Sequence, residues 1–240
     1  MVVSSSRGVF GGSLRLLGAN LIIVVPGLVV GVLTAVVGTL LEPAHPLDAN
    51  VASRVLQAVV QLVGSILGVA YTTGMADAAW RTRRARIADG TRAFKRDAGH
   101  VFVAMLVLFA LGVVAAVLAP FTFSLSLLVY LFFCVYTMAA AVVGERPGLR
   151  AVAESVDIAF RRPRPTLVIV TGIGLIAFAM GAVAELLSAV VLVGPLVAGL
   201  VIQTVVAYVT LVVVGEYRVL RAPAADRADP GSTLGDELRG

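Results

Sequence analysis

Six side chains have the type and spacing to hold a polar solute inside an apolar protein: Gln57, Gln61, Ser65, Tyr130, Gln203 and Glu185. Gln57, Gln61 and Ser65 recur every four residues, and Arg54, Gly68 and Thr72 extend the series, so on a helix all six line one polar stripe. An amide facing hydrocarbon without a partner is costly, so the stripe is expected to turn inward, toward Gln203 or Tyr130. Glu185 is a carboxylate near the end of an apolar run and is a functional candidate on that ground, with Arg54 as its expected partner. A second set, Arg81, Arg83, Arg84 and Arg86, lies within Trp80 to Arg96, which holds seven of the nineteen lysines and arginines. Guanidinium forks match phosphate and anionic lipid headgroups.

Nothing else in the chain suggests catalysis. A zinc-protease H-E-x-x-H, a G-x-S-x-G elbow and a phosphate loop ending in Gly-Lys are all missing, and Lys95 is the only lysine. His45 and His100 are expected on opposite sides of a membrane, where they cannot share a metal. No catalytic residue, metal ligand or cofactor is assigned, and no enzymatic activity is expected. The lone Cys134 reads as a small core residue.

These residues need a frame. Of the 240 residues 59% are hydrophobic and only 14% charged, too few to coat a water-soluble globule. The net charge of +5 does not point to nucleic acid, because no soluble domain with a basic, aromatic-bearing face is available. A bilayer core of about 30 Å needs roughly 20 apolar residues per helix. Runs at about 20–41, 52–76, 101–119, 121–143, 166–187 and 191–214 meet that length. The first exceeds a signal peptide's apolar stretch and lacks a cleavage site, so it counts as a span. The expected fold is all-α: a polytopic bundle of six transmembrane helices with short interfacial cytoplasmic helices. Its parts are a cytoplasmic N-terminal segment at 1–19, a membrane domain at 20–218 and a disordered tail at 219–240.

All lysines and arginines except Arg54 fall on alternate connections or the termini. The positive-inside rule then puts both termini and the two long connections in the cytoplasm of a plasma membrane, with short external turns near 43–50, at Pro120 and near 188–194. Trp80 is expected as an interfacial anchor. The long connections share Ala93, Phe94, Lys95, Arg96 and Ala159, Phe160, Arg161, Arg162, which suggests a repeated unit of short helix plus membrane hairpin, with Phe10 to Leu17 as a third copy. In one copy Leu149, Val152, Val156 and Phe160 share a helix face between Pro147 and Pro163, with Arg150–Glu154 and Asp157–Arg161 as expected ion pairs. Gly27 with Gly31, and Gly64 with Gly68, are expected helix contacts, and Pro26 an expected bend.

At Gly74, Met75, Ala76 and Asp77, at Gly90 and Thr91, and at Glu145, Gly148, Ala153, Glu154, Ser155, Arg162 and Pro163, the sequence resembles a family. It is similar, over about 8–218, to an uncharacterised prokaryotic family of six-span membrane proteins. That family includes the membrane domain that precedes some glycerophosphodiester phosphodiesterases. Their chemistry resides in a separate soluble barrel, so the resemblance implies no catalytic residue here. The leading expectation is a permease-like or membrane-homeostasis protein using the polar centre. The alternative is a structural or interaction module that recruits a cytoplasmic protein partner, unidentified from the sequence, through its basic connections. The lipid bilayer is the expected surrounding, and anionic headgroups are candidate partners.

Overall fold

A computed structural model describes residues 6–41, 51–123, 125–188 and 194–221. They form helices α1 (Ser6–Ala19), α2 (Val25–Leu41), α3 (Val51–Thr82), α4 (Ile87–Leu118), α5 (Leu125–Cys134), α6 (Thr137–Val142), α7 (Gly148–Arg161), α8 (Pro163–Ser188) and α9 (Gly194–Arg221), with no strand among the described residues. Among the described residues four segments are long and apolar enough to cross a membrane: α4, the joined α5–α6, α8 and α9. The bent pair α1–α2 makes a fifth if counted as one span. The expected second span runs along α3, where the side chains at 51–55, 57, 58, 61, 62 and 65 lie outside the described residues. The expected disordered tail also lies outside them, except that α9 continues to Arg221.

The chain is packed at one end and open at the other. Met75, Ala76, Ala79, Tyr136, Ala139, Ala140, Ala141, Leu211, Val214 and Tyr217 are buried together near the polar end. Alanine's small side chain lets those helices approach closely. Toward the opposite end Phe109, Phe121, Phe178, Leu186 and Leu200 are exposed, as expected of a surface that faces lipid.

Two breaks share one backbone conformation. Asn20 separates α1 from α2 at φ −140°, ψ 54°, and Arg162 separates α7 from α8 at φ −132°, ψ 60°. Each lies seven residues beyond a fully buried serine, Ser13 or Ser155, and eleven beyond a fully buried small apolar residue, Val9 or Ala151. The copy at Phe10 to Leu17 is therefore matched in structure by α7. The middle copy differs, because Ala93 to Arg96 lie inside the unbroken α4. The first break is at Asn20 and not at Pro26. Pro26 sits in the first turn of α2, where its missing N–H takes nothing from the helix ladder. The two helices meet there at 93°.

Trp80, expected as an interfacial anchor, packs within the protein. Its indole lies half-buried between α1 and α9, where Nε1 donates to the Leu211 carbonyl at 2.8 Å. A Cβ added at Gly12 would come within 2.9 Å of the ring, and one at Gly215 within 2.5 Å. Only glycine leaves the indole room on both sides. Gly215→Val should therefore lower stability by about 1–3 kcal/mol through overpacking, read as thermal unfolding of the purified chain in detergent. An unchanged unfolding temperature would contradict this account of the Trp80 slot.

Candidate functional site

Of the six residues of the candidate centre, the two with described side chains, Tyr130 and Gln203, face different helices. Tyr130 faces α4, its hydroxyl donating to the Leu108 carbonyl at 3.1 Å beside Gly112. Ser126 on the same face donates to the Ala115 carbonyl at 2.7 Å. Gln203 instead faces α2: its amide fills the notch left by Gly27, where any Cβ would collide with Oε1, and its Nε2 lies 3.6 Å from a Cβ built at Gly31. Tyr130 uses its hydroxyl on the backbone of α4, and the Gln203 amide packs into the small-residue notch of α2. Gly64 and Gly68 receive Val30 of α2, so both glycine pairs make packing contacts. The side chains of Gln57, Gln61, Ser65 and Glu185 lie outside the described residues.

The polar chemistry gathers at the other place the sequence marks, where α3 ends and α4 begins. Gly74 abuts Ala93, and Gly90 lies against Tyr71 and Met75, so the two backbones nearly touch there. Beside that crossing is a cavity of about 260 Å³, lined by Asp77, Arg81 and Thr82 from α3, Asp89, Arg92 and Arg96 from α4, and Val142 of α6.

Asp77 is 4% exposed and carries two arginines. Arg218 of α9 meets its Oδ1 at 2.7 Å, and Arg81, one turn on in α3, holds its Oδ2. Across the cavity, Arg96 binds the buried Asp97 at 2.8 Å, Glu145 at 2.8 Å and the Val142 carbonyl at 3.0 Å. Each carboxylate is thus matched by a guanidinium, and Arg218 joins α9 to α3 as Arg96 joins α4 to α6, the kind of pairing under which a buried charge is tolerated. A third cluster centres on Glu154, which accepts from Arg146 at 2.6 Å and from the Tyr217 hydroxyl at 2.6 Å, with Arg221 at 3.8 Å. The expected Arg150–Glu154 pair is thus replaced by partners from outside α7. The Asp157–Arg161 pair forms at 2.8 Å.

Of the four predicted arginines, Arg81 lines the cavity, whereas Arg83, Arg84 and Arg86 are exposed on the connection and have no ion pair among the described residues. Arg83 adopts φ 61°. That turn is held by Asn20, which donates to the Leu16 carbonyl at 2.9 Å and the Arg83 carbonyl at 3.2 Å and accepts from the Ala85 N–H at 2.7 Å. Asp89 caps α4 by accepting from the Arg86 N–H at 3.0 Å.

Helix α7 runs between the two prolines as expected, but the face it buries is the small one. Gly148, Ala151, Ser155 and Ala159 pack inward, and Ser155 bridges the break between α5 and α6, accepting from the Tyr136 N–H at 3.1 Å and donating to the Phe133 carbonyl at 2.7 Å. Leu149 and Phe160 stay 67% and 68% exposed. Among the described residues, no group of three or more His, Cys, Asp or Glu is placed to hold a metal. Compared with known protein families, with curated proteins and with solved structures, the chain matches none of them.

Proposed function

We propose that this chain is a six-span protein of the plasma membrane, with both termini and its two long connections in the cytoplasm. In this reading it has no chemistry of its own and acts as a packed module that engages a partner at its cytoplasmic end. The observation that carries the reading is Gln203: the one described amide of the polar stripes packs against α2 in the Gly27–Gly31 notch. The polar end, by contrast, has a cavity and exposed arginines without carboxylate partners. All ion pairs among the described residues lie at that end, in keeping with the charge asymmetry that sets the orientation. The exposed apolar face of α7, meeting that end at Leu149 and Phe160, supports an interfacial position for this helix. The permease-like alternative draws on Gln57 and Gln61. The likeness to the membrane domain of the phosphodiesterases remains part of this proposal, resting on residues such as Gly74, Asp77, Glu145 and Ser155.

Thiol labelling separates the two readings. In a Cys134→Ser background, Thr82→Cys should react with a membrane-impermeant maleimide in inside-out vesicles and stay silent in intact cells. Gln203→Cys should be protected from both sides. Labelling at position 203 as fast as at 82 would favour a permease, and labelling at 82 in intact cells would reverse the orientation.

A further inference from the structure

We propose that the cavity between α3 and α4 is a binding site for a phosphate group, gripped from opposite walls by Arg81 and Arg92. The inference rests on the reading above for its depth in the membrane and on the cavity's own geometry for its chemistry.

The arginines around the cavity are not equivalent. Arg96 is committed to Asp97, Glu145 and a carbonyl, and Arg218 to Asp77. Arg81 uses part of its fork on Asp77 while its side chain remains 58% exposed. Arg92 is 81% exposed and stands 4.0 Å from Asp89, too far for a hydrogen bond. Two planar guanidiniums with unused donors therefore flank one cavity, one on each helix. The two lining carboxylates do not cancel them: Arg218 pairs with Asp77 from outside the cavity, and Asp89 accepts from the Arg86 N–H at the start of α4.

The surrounding field has the same sign. Residues 77–97 hold seven lysines and arginines against three aspartates. Arg83, Arg84 and Arg86, exposed on the connection between the two helices, add charge without an ion pair among the described residues. The α4 N-terminus is capped by its own Asp89, so the donors on offer are the arginine forks. Paired forks in a positive field favour a tetrahedral, multiply hydrogen-bonded anion, and phosphate is the one abundant where helices emerge from a bilayer. Its source is either a lipid headgroup or a free phosphate.

The test uses the full chain purified in a phosphate-free maltoside detergent at 0.15 M salt. Three probes are titrated: dihexanoyl phosphatidylglycerol, phosphate-free dihexanoylglycerol and inorganic phosphate. Saturable binding of the phosphatidylglycerol but not of dihexanoylglycerol is expected, weakened at least tenfold by Arg81→Gln with Arg92→Gln. Arg150→Gln with Arg164→Gln, which alters two exposed arginines not lining the cavity, should stay within twofold. Arg92→Gln alone keeps the test readable if the Arg81 change unfolds the protein. Inorganic phosphate binding as tightly as the lipid would identify a soluble phosphate, and failure to bind it a headgroup; both support the site. Binding of neither phosphate-bearing probe, or equal loss in the control pair, overturns it. The maleimide result at Thr82→Cys is independent: labelling from outside with phosphate binding intact would remove the orientation and leave the site.

Discussion

Asp77→Ala is expected to lower the stability of the purified chain by about 2–3 kcal/mol, because it strands Arg218 and Arg81 around a buried position. The estimate is at the low end for breaking a buried ion pair, since both guanidiniums keep part of their surface in solvent and recover some hydration. Asp77→Asn, which keeps the shape and one acceptor, should lose roughly half as much. Coupling gives the sharper readout. In the double substitution with Arg218→Ala, the combined loss should fall short of the sum of the single losses by about 1 kcal/mol, as for residues in one network. Additive losses would mean that the contact between α3 and α9 contributes nothing specific. Denaturant titration in detergent, followed by the single Trp80 that sits between the same two helices and α1, would report it.

Asn20→Ala is the second large effect, expected at about 3 kcal/mol. The side chain makes three hydrogen bonds at once, and its loss leaves the buried Ala85 N–H without its acceptor. An unsatisfied buried amide costs about 1–3 kcal/mol, and the two lost donors add to it. Asn20→Asp retains the acceptor and removes both donors, so it should fall between wild type and alanine. Hydrogen exchange distinguishes this from general destabilisation: the Ala85 amide should exchange much faster in Asn20→Ala, ahead of amides in the middle of α9. Equal acceleration at both places would mean that Asn20 has no local role at the connection.

These residues differ in how far their roles could be read from sequence. The start and stop of α7 were legible from Pro147 and Pro163 because proline acts locally, through its fixed φ and missing donor. The basic cluster was legible because it is contiguous. Asp77 was visible only as part of a family likeness, since its strongest partner, Arg218, is far away in sequence and no spacing rule joins them. The same holds for Gln203: its stripe and the Gly27–Gly31 pair were both seen, yet which glycine notch receives which amide is decided by how α2 and α9 are packed. Trp80 was read by its usual preference for interfaces. Gly12 and Gly215, which together make its slot, lie on either side of it in the chain by more than sixty residues. For α7 the apolar stripe was read correctly as one face, but the buried stripe is the one of smallest residues, because small side chains let its backbone approach α4, α5 and α6 closely.

The two jointed copies and the single unjointed one give the molecule unequal mechanics. Helix α4 has 32 residues without a break, a rod of about 48 Å at 1.5 Å per residue. That is longer than a hydrocarbon core of about 30 Å, and the segment bearing Asp89, Arg92 and Arg96 is continuous with the stretch apolar enough to cross one. A push at Arg92 is therefore carried along the rod to Leu118 and into the turn before α5. The same push on α1 or α7 is absorbed at the non-helical backbone of Asn20 or Arg162. Of the three units, only the one that forms a wall of the α3–α4 cavity works as a lever; the other two work as elbows.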